Sequence, residues 1–391
     1  MTGTAAPVYD PLELATHEDP YPVYRRLRRA APLCRNAEHG FWALSRHADV
    51  IAALADPAAL ASSAPELSAA DRFFGIREAG YVAGESARHD ALRHVLRPLL
   101  GARPVDRLER AVAGIADRLL DDLACAGVAD LAAGYARRLP VLVTCEVLGL
   151  PERDEPLIAG WVDALFGRRP GVLEVPAEAT AAYLGLREYV TGFAVPEAAA
   201  AGMASLLEAE REGILTRDEI LDVAIILVAA GIKTTSALIG TLLLRLAVEP
   251  GQQAIAWAEP ALAGAVVDET LRYDAPAQWV ARVATCGVET PHGAIPAGER
   301  VLLLLGSANR DEARYDRPDR FDVRRAPRRH LAFSSGLHFC LGAPLARLEA
   351  RVALEALVRR ARRLEPAGAV ERVFTPAERE LAALPCHVAW R

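Results

Sequence analysis

The stretch "HLAFSSGLHFCLGAPLAR", residues 330–347, decides the fold, because it sets Cys340 among small residues just before a strongly helical segment. A thiolate in front of a helix is stabilised by the N-terminal dipole and by nearby backbone N–H groups. Gly336 and Gly342 allow the backbone to approach the sulfur closely, and Phe333 shields it from water. A shielded, hydrogen-bonded thiolate suits an iron ligand, although a lone cysteine is more often a small buried hydrophobic residue.

Three further motifs lie upstream of this loop. Glu269 and Arg272, in "ETLR", are three residues apart and share one helix face. The segment "RPDRFD" (317–322) follows them. The segment "AAGIKTTS" (229–236) lies inside an apolar run that predicts a long central helix buried on every side.

The spacing Phe333-x-x-Gly336-x-His338-x-Cys340-x-Gly342 resembles the heme-binding loop of the cytochrome P-450 family, in its soluble bacterial type. The other three motifs match the family in the expected order, and the resemblance covers nearly the whole chain. It implies a mainly α fold, a large helical domain with small β-sheets, and heme b between the central helix and the helix after the cysteine loop. We therefore expect one cytochrome P-450 domain over residues 1–391, with Cys340 as the iron ligand.

The resemblance also implies roles for residues outside the loop. Heme carries two propionates, which need cationic or hydrogen-bonding partners. The residues that match the family's propionate positions are His89, Arg93, Arg282 and His330. The residues that match its buried Glu-Arg-Arg network, which is structural, are Glu269, Arg272 and Arg320.

The family resemblance implies a monooxygenase that uses O2 and two electrons to hydroxylate or epoxidise a small organic substrate. The protein's task is then to position the substrate and supply protons. The central helix commonly carries Ala-Gly-x-acid-Thr in this family, and here it reads Ala230-Gly231-Ile232-Lys233-Thr234. Gly231 opens a groove for bound oxygen on this interpretation, and Thr234 keeps the alcohol, unless its hydroxyl simply bonds the carbonyl four residues back.

The acid of that motif is replaced by Lys233, which is the single lysine among 45 lysine and arginine residues. Three interpretations remain open. In the first, Lys233 is a structural charge, because a buried charge needs a partner; the candidate acids are Asp163, Glu174 and Glu178. In the second, it binds an anionic group of a substrate or cofactor. In the third, it relays protons or slows their delivery.

Periodicity and turn residues predict the elements around these motifs. The predicted helices are 21–31, 89–100, 105–124, 136–150, 216–247 with a capping box of Thr216 and Glu219, 260–274 and 345–364. The predicted strands are 40–46, 279–290, 292–305 and a C-terminal edge strand, "LPCHVAW" (384–390). Irregular helices and loops over 154–205 predict a lid. The segments expected to line the pocket are 60–86 with Phe73 and Phe74, 275–282 and 374–384.

Composition and charge exclude several other classes of protein. The net charge of −6 argues against a general nucleic-acid binder. The six cysteines are scattered without a CxxC pair, which is neither a disulfide framework nor a zinc pattern. The N-terminus shows no signal sequence or membrane anchor. These features predict a cytoplasmic monomer that binds neither nucleic acid nor membrane.

Electrons are expected from a ferredoxin and a ferredoxin reductase, because no flavin or iron–sulfur segment is present. A basic patch that would attract an acidic ferredoxin is formed by Arg97, Arg328, Arg329 and Arg347. Secondary-metabolite biosynthesis is the expected setting, by family analogy. An anionic or carrier-bound substrate is one alternative. Others are a peroxygenase or coupling enzyme, a non-catalytic heme protein, and a non-heme metal site of His330, His338 and Cys340.

Overall fold

The computed structural model describes residues 7–62, 87–172, 174–193, 201–325 and 329–391. Helices dominate, and small sheets lie between them. Three predicted parts lie at least partly outside the described residues. They are the pocket loop with Phe73 and Phe74 (63–86), residues 173 and 194–200 of the lid, and Arg328 of the basic patch.

The helices follow the apolar periodicity of the sequence. They are α1 (Leu14–Glu18), α2 (Tyr21–Ala30), α3 (His47–Ala55), α4 (Ala87–Leu100), α5 (Ala102–Asp106), α6 (Glu109–Ala124), α7 (Arg138–Leu148), α8 (Glu155–Phe166), α9 (Ala177–Phe193), α10 (Ala201–Arg211), α11 (Arg217–Val248), α12 (Pro250–Ala258), α13 (Ala263–Tyr273), α14 (Leu305–Ala308) and α15 (Ala343–Arg360). A π-helical turn, Ala132–Ala136, precedes α7. The predicted lid region contains α8, α9 and the start of α10.

The central helix is α11, and its predicted capping box is confirmed. The Thr216 hydroxyl accepts from the Glu219 N–H at 3.3 Å, and the Glu219 carboxylate accepts from the Thr216 N–H at 2.7 Å. Among the described residues, α11 alone is long and apolar enough to cross a membrane. Because 72% of its most apolar window is buried inside the protein, it is the core helix that the sequence predicts.

The strands form four small sheets within the described part of the chain. They are β1 (Leu33–Asn36), β2 (Phe41–Leu44), β3 (Leu60–Ala61), β4 (Ala129–Asp130), β5 (Val280–Ala284), β6 (Val288–Thr290), β7 (Gly293–Ile295), β8 (Arg300–Leu303), β9 (Ala361–Pro366), β10 (Glu371–Arg372), β11 (Leu381–Ala383) and β12 (Pro385–Trp390). The largest sheet has the order β1-β2-β8-β5-β3, in which only β2 and β8 are parallel. The strand pairs β6-β7 and β10-β11 are separate two-stranded sheets.

Two predictions about the C-terminal part are wrong. The helix predicted over 345–364 ends at Arg360, and its last four residues begin β9. The tail is a strand, but it is central rather than an edge, since β12 pairs with both β4 and β9. Alternation of apolar and polar residues was too weak in β9 and β12 to reveal their pairing.

The two largest hydrophobic clusters meet at α11. One joins Leu238 and Leu242 of α11 to Phe333 and Ala343 around the cysteine loop. The other joins Ala229 and Ile232 to α4, α7, α8 and α9. Helix α15, which begins three residues after Cys340, packs directly on α11. This packing holds the cysteine loop and the middle of the central helix in one region of the fold.

Candidate functional site

The cysteine loop sets the Cys340 thiol in front of the first turn of α15. Cys340 retains accessible surface, although protein atoms surround the thiol and burial raises its pKa. Backbone hydrogen bonds from Gly342 and Ala343 act in the opposite direction on that pKa. A Cβ at Gly342 would lie 4.0 Å from the Cys340 sulfur. The sulfur is therefore enclosed but reachable, with N–H groups available to a thiolate.

The path of the loop depends on one glycine. Gly336 has φ +71°, and a Cβ there would lie 2.9 Å from the Leu54 carbonyl oxygen. Ser334 also has a positive φ of 61°, and the Cys340 N–H donates to the Phe333 carbonyl at 2.9 Å. A side chain at Gly336 would push the loop away from α3, so a glycine is required for this path.

Helix α4 brings two predicted propionate partners to the same loop. The His89 ring contacts the His338 ring edge-on, with centroids 4.9 Å apart. Arg93 Nη1 donates to the Phe339 carbonyl at 3.0 Å. His89 is 3% exposed, and its buried Nδ1 has no hydrogen-bond partner among the described residues, since Asp90 Oδ1 is 3.5 Å away in poor geometry. A buried polar atom without a partner indicates a missing one, such as an anionic group.

The other two predicted propionate partners are His330, at the start of the cysteine-loop stretch, and Arg282. His330 Nε2 is 3.4 Å from Asp268 Oδ1, which also accepts from Arg347 Nε at 2.9 Å. Burial opposes ionisation of Asp268, but the hydrogen bonds from His330 and Arg347 hold its pKa below the ordinary value. Arg282 is nearly buried on β5, where Nη1 donates to the Ala281 carbonyl at 2.6 Å.

The middle of α11 has one accessible face. From residue 223 to residue 244 every side chain is buried except those of Ile226, Leu227, Ala230, Gly231 and Thr234. These residues recur at helical spacing, so they share one side of the helix. Because the helix is buried above and below them, the accessible face borders an opening inside the protein.

Thr234 and Gly231 on this face adopt ordinary helix geometry. The Thr234 hydroxyl donates to the Ala230 carbonyl at 2.8 Å, which is the local alternative that the sequence left open. A Cβ at Gly231 would meet Thr144 Oγ1 at 3.7 Å, an ordinary contact distance. Steric contacts with the described residues therefore do not by themselves require glycine at this position.

The residues present fit a heme. Cys340 supplies an enclosed, accessible sulfur beside backbone N–H groups. His89 supplies a buried ring nitrogen without a partner, and Arg93 lies on the same side of α4. The accessible face of α11 supplies space inside an otherwise buried core. Among the described residues, no cluster of His, Cys, Asp and Glu is arranged to hold a bare metal ion, which removes support from the non-heme alternative.

Glu269 and Arg272 form the predicted buried pair on α13. Arg272 Nε and Nη2 each lie 2.8 Å from a Glu269 carboxylate oxygen, and both side chains are fully buried. The second arginine, however, is Arg325, whose Nε donates to Glu269 Oε1 at 3.1 Å. Arg320 is exposed and contributes only its carbonyl oxygen, which accepts from Arg272 at 3.2 Å.

The assignment of Arg320 is therefore corrected to Arg325. The backbone turns within "RFDVRR" and leaves the Arg320 side chain outside, while the Arg325 side chain folds back over Glu269. The signal that was missed is the arginine pair that ends this segment, whose second member lies five residues after Arg320.

Lys233 is fully buried and bound by two carboxylates. Its Nζ lies 3.3 Å from Asp163 Oδ1 on α8 and contacts Glu380 Oε2 in the segment before β11. Arg137 also bridges both acids, with Nη2 2.5 Å from Asp163 Oδ2 and Nε 3.3 Å from Glu380 Oε1. We refer to Arg137, Asp163, Lys233 and Glu380 as the four-charge cluster.

Sequence reasoning named Asp163 but missed Glu380 and Arg137. In the described part of the chain, the acids that pair with Lys233 are Asp163 and Glu380, and not the other candidates, Glu174 and Glu178. Glu380 comes from a distant part of the chain. The alternating charges of Glu378, Arg379 and Glu380 are the sequence feature that could have indicated ion pairs there. Arg379 points the other way, to Asp274 at 2.6 Å.

Comparison with known proteins gives a consistent result. A family model described as Cytochrome P450 matches residues 197–377. The chain is 38% identical to "Putative cytochrome P450 123" of Mycobacterium tuberculosis, over 98% of both proteins. It is 36% identical to "Cyclomarin C epoxidase CymV" of Salinispora arenicola, over 88% of this chain and 89% of that protein. Among solved structures, CalO2 superposes with a TM-score of 0.86 at 30% identity, over 98% of this chain and 99% of CalO2.

Proposed function

This chain belongs to the cytochrome P450 family, and from that premise we propose that it hydroxylates or epoxidises a small organic substrate in secondary-metabolite biosynthesis. Members of the family are oxygen-incorporating oxidoreductases with heme b as cofactor. The single observation that carries the proposal for this chain is the enclosed but accessible Cys340 sulfur in front of α15.

When bound, the heme would supply the activation of O2 for substrate oxidation, and a thiolate ligand suits that chemistry. Cys340 Sγ is the proposed iron ligand, and the N–H groups of Gly342 and Ala343 stabilise its negative charge. Phe333, Gly336 and His338 shape the loop that holds this sulfur in place.

The proposed propionate partners are His89 and Arg93 on α4, together with Arg282 and His330. His89 has the strongest support, because its buried Nδ1 otherwise has no partner among the described residues. Its contact with His338 fixes the orientation of the ring. His330 has weaker support, since Asp268 and Arg347 already engage it.

The substrate is proposed to lie against the accessible face of α11, with Ala230 and Thr234 beside it. Gly231 keeps that wall thin, and the Thr234 hydroxyl, which donates to the Ala230 carbonyl, would hold a proton on this face of the helix beside a bound heme. The segments 275–282 and 374–384 pair with each other, through an antiparallel bridge of Ala277 and Glu378, as expected for one continuous wall. The relative named as an epoxidase supports oxygen insertion as the reaction type.

Electrons are proposed to come from an acidic ferredoxin and its reductase, which bind on the side of the cysteine loop. Arg97 and Arg329 are exposed there, whereas Arg347 is engaged by Asp268 and stacks on Phe333. We expect a cytoplasmic monomer, with O2 and one small molecule as its other partners.

For Lys233 the structural interpretation has the best support. Two carboxylates already bind Nζ, so an anionic substrate group would have to displace one of them. These ion pairs do not favour either alternative reaction, peroxide use or oxidative coupling. Turnover of any ligand would exclude the alternative of a non-catalytic heme protein.

The test is a reconstitution with a ferredoxin, its reductase, NADPH and 18O2, using a panel of neutral and anionic compounds that shift the heme spectrum. We expect one oxygen-18 atom per product molecule. Product without oxygen-18 would favour the coupling alternative, and product formed with peroxide alone would favour a peroxygenase. Spectral shifts without any oxidation would refute the proposed activity.

A further inference from the structure

Arg347, at the start of the second turn of α15, packs on the cysteine loop. Its guanidinium carbon lies over the Phe333 ring, 4.5 Å from the ring centroid. The carbonyl of Phe333 accepts the N–H of Cys340 at 2.9 Å. Phe333 therefore connects the arginine to the residue that supplies the sulfur, and the contact between guanidinium and ring fixes where the positive charge lies.

The positive charge of Arg347 is near enough to the sulfur to act on it. Burial raises the pKa of Cys340, and the charges of Arg93 and Arg347 oppose that shift. Protein atoms surround the thiol, so a charge beside it is screened less than a charge in open water. The charge on the guanidinium is therefore felt at the atom proposed to bind the iron.

Arg347 has its counter-charge on α13. Its Nε donates to Asp268 Oδ1 at 2.9 Å, and the same carboxylate oxygen lies 3.4 Å from His330 Nε2. The side chains of Arg347 and Asp268 are 39% and 34% exposed, so the pair lies at the edge of the protein rather than in its core. Removal of either partner would leave one uncompensated charge beside the cysteine loop.

An uncompensated charge at this place would change how easily a bound heme iron is reduced. Reduction adds one electron to the iron, so the reduced form is favoured by a nearby positive charge and disfavoured by a nearby negative charge. The environment of the axial ligand is one of the means by which a protein sets a heme potential. Arg347 and Asp268 therefore act in opposite directions on the same equilibrium.

We propose that Arg347 raises the reduction potential of the heme iron and that Asp268 limits this effect, an inference that rests on the proposed function of Cys340 as the iron ligand. The positive charge eases transfer of the first electron from the ferredoxin, and no bond is made or broken. The ion pair to Asp268 keeps the guanidinium on the Phe333 ring. Both are positioning residues, because they act through the cysteine loop.

The experiment measures the midpoint potential of the heme-loaded protein by dithionite titration with redox dyes, at low ionic strength where screening is weak. Arg347→Gln removes the positive charge, Asp268→Asn removes the negative charge, and the double variant removes both. Arg347→Lys keeps the charge without the guanidinium. Arg351→Gln is the matched control, since Arg351 lies one turn further along α15 and pairs with Glu109 and Glu355.

We expect Arg347→Gln to lower the equilibrium constant for reduction about three- to tenfold, or roughly 30–60 mV for one electron. Asp268→Asn should raise the constant by a similar factor. The double variant, Arg347→Lys and Arg351→Gln should all stay within about twofold of the parent. A purely structural pair would lower heme content or melting temperature in both single variants but would not move their potentials in opposite directions.

Parent-like potentials in Arg347→Gln and Asp268→Asn, or shifts in the same direction, would overturn the inference while leaving the proposed function intact. A parent protein without the thiolate-type carbon monoxide spectrum would instead refute the proposed function, and the inference with it. If Arg347→Gln binds no heme, the other two single variants decide. A raised potential in Asp268→Asn with a parent-like potential in Arg347→Lys supports the inference, and any other result overturns it.

Discussion

Glu349 of α15 is a buried acid whose ionisation opposes folding, and Glu349→Gln should stabilise the protein in a pH-dependent way. Its side chain is 3% exposed, and Oε2 has no hydrogen-bond partner among the described residues. Burial raises the pKa of Glu349 from 4.5 to about 8. At neutral pH the folded protein therefore holds a proton that the unfolded chain has released.

The sign and size of the effect follow from this raised pKa. The stability associated with Glu349 is fully present below pH 4.5 and is lost as the pH rises through about 8. At about 1.4 kcal/mol for each pH unit between 4.5 and 7, holding the proton costs about 3 kcal/mol at neutral pH. Glutamine has the same shape and no such cost, so the variant should gain about that much at pH 7.

The assay is urea unfolding of the heme-loaded parent and variant at pH 5 and pH 8, followed by far-ultraviolet circular dichroism. The stability difference between variant and parent should grow by about 3 kcal/mol between the two pH values. Glu355→Gln on the same helix is the control, because Glu355 is ion-paired with Arg351 and should give a constant difference. A constant difference for Glu349→Gln as well would refute the reasoning.

Three further predictions concern stability around the site. Lys233→Met should cost about 3 kcal/mol in unfolding free energy, and adding Glu380→Gln should recover at least about 1 kcal/mol of it, whereas additive losses would contradict the ion pair. Gly336→Ala should lose about 1–3 kcal/mol and lower the heme content, because its φ is +71° and its Cβ meets a carbonyl; an unchanged melting temperature would argue against this loop path. Arg325→Ala should cost about 2 kcal/mol by thermal unfolding and Arg320→Ala less than about 1, and the reverse order would restore the sequence-based assignment.

The sequence predicted those parts of the fold whose signals are local. The capping box of Thr216 and Glu219 marks the start of α11, and its apolar run marks the length, because both signals act within the helix itself. The cysteine loop was also predicted from the sequence, because its glycines recur at a fixed spacing where the backbone path needs them. Gly336, with positive φ, is the clearest example.

The remaining errors concern contacts between distant segments. The central place of β12 depends on pairing with β4, more than 250 residues earlier, and no local pattern carries that information. Glu380 contacts Lys233 although nearly 150 residues separate them in the chain. The sequence analysis therefore considered only acids of the predicted lid as partners of Lys233. Arg325 replaces Arg320 because a turn decides which guanidinium reaches Glu269.

The central claim is that Cys340 binds a heme iron as a thiolate, and the reduced carbon monoxide difference spectrum tests it most directly. The purified, dithionite-reduced protein should give the long-wavelength Soret band that is typical of thiolate ligation, and Cys340→Ala should abolish it at unchanged protein level. A parent protein that lacks this band, or a Cys340→Ala variant that keeps it, would contradict the account.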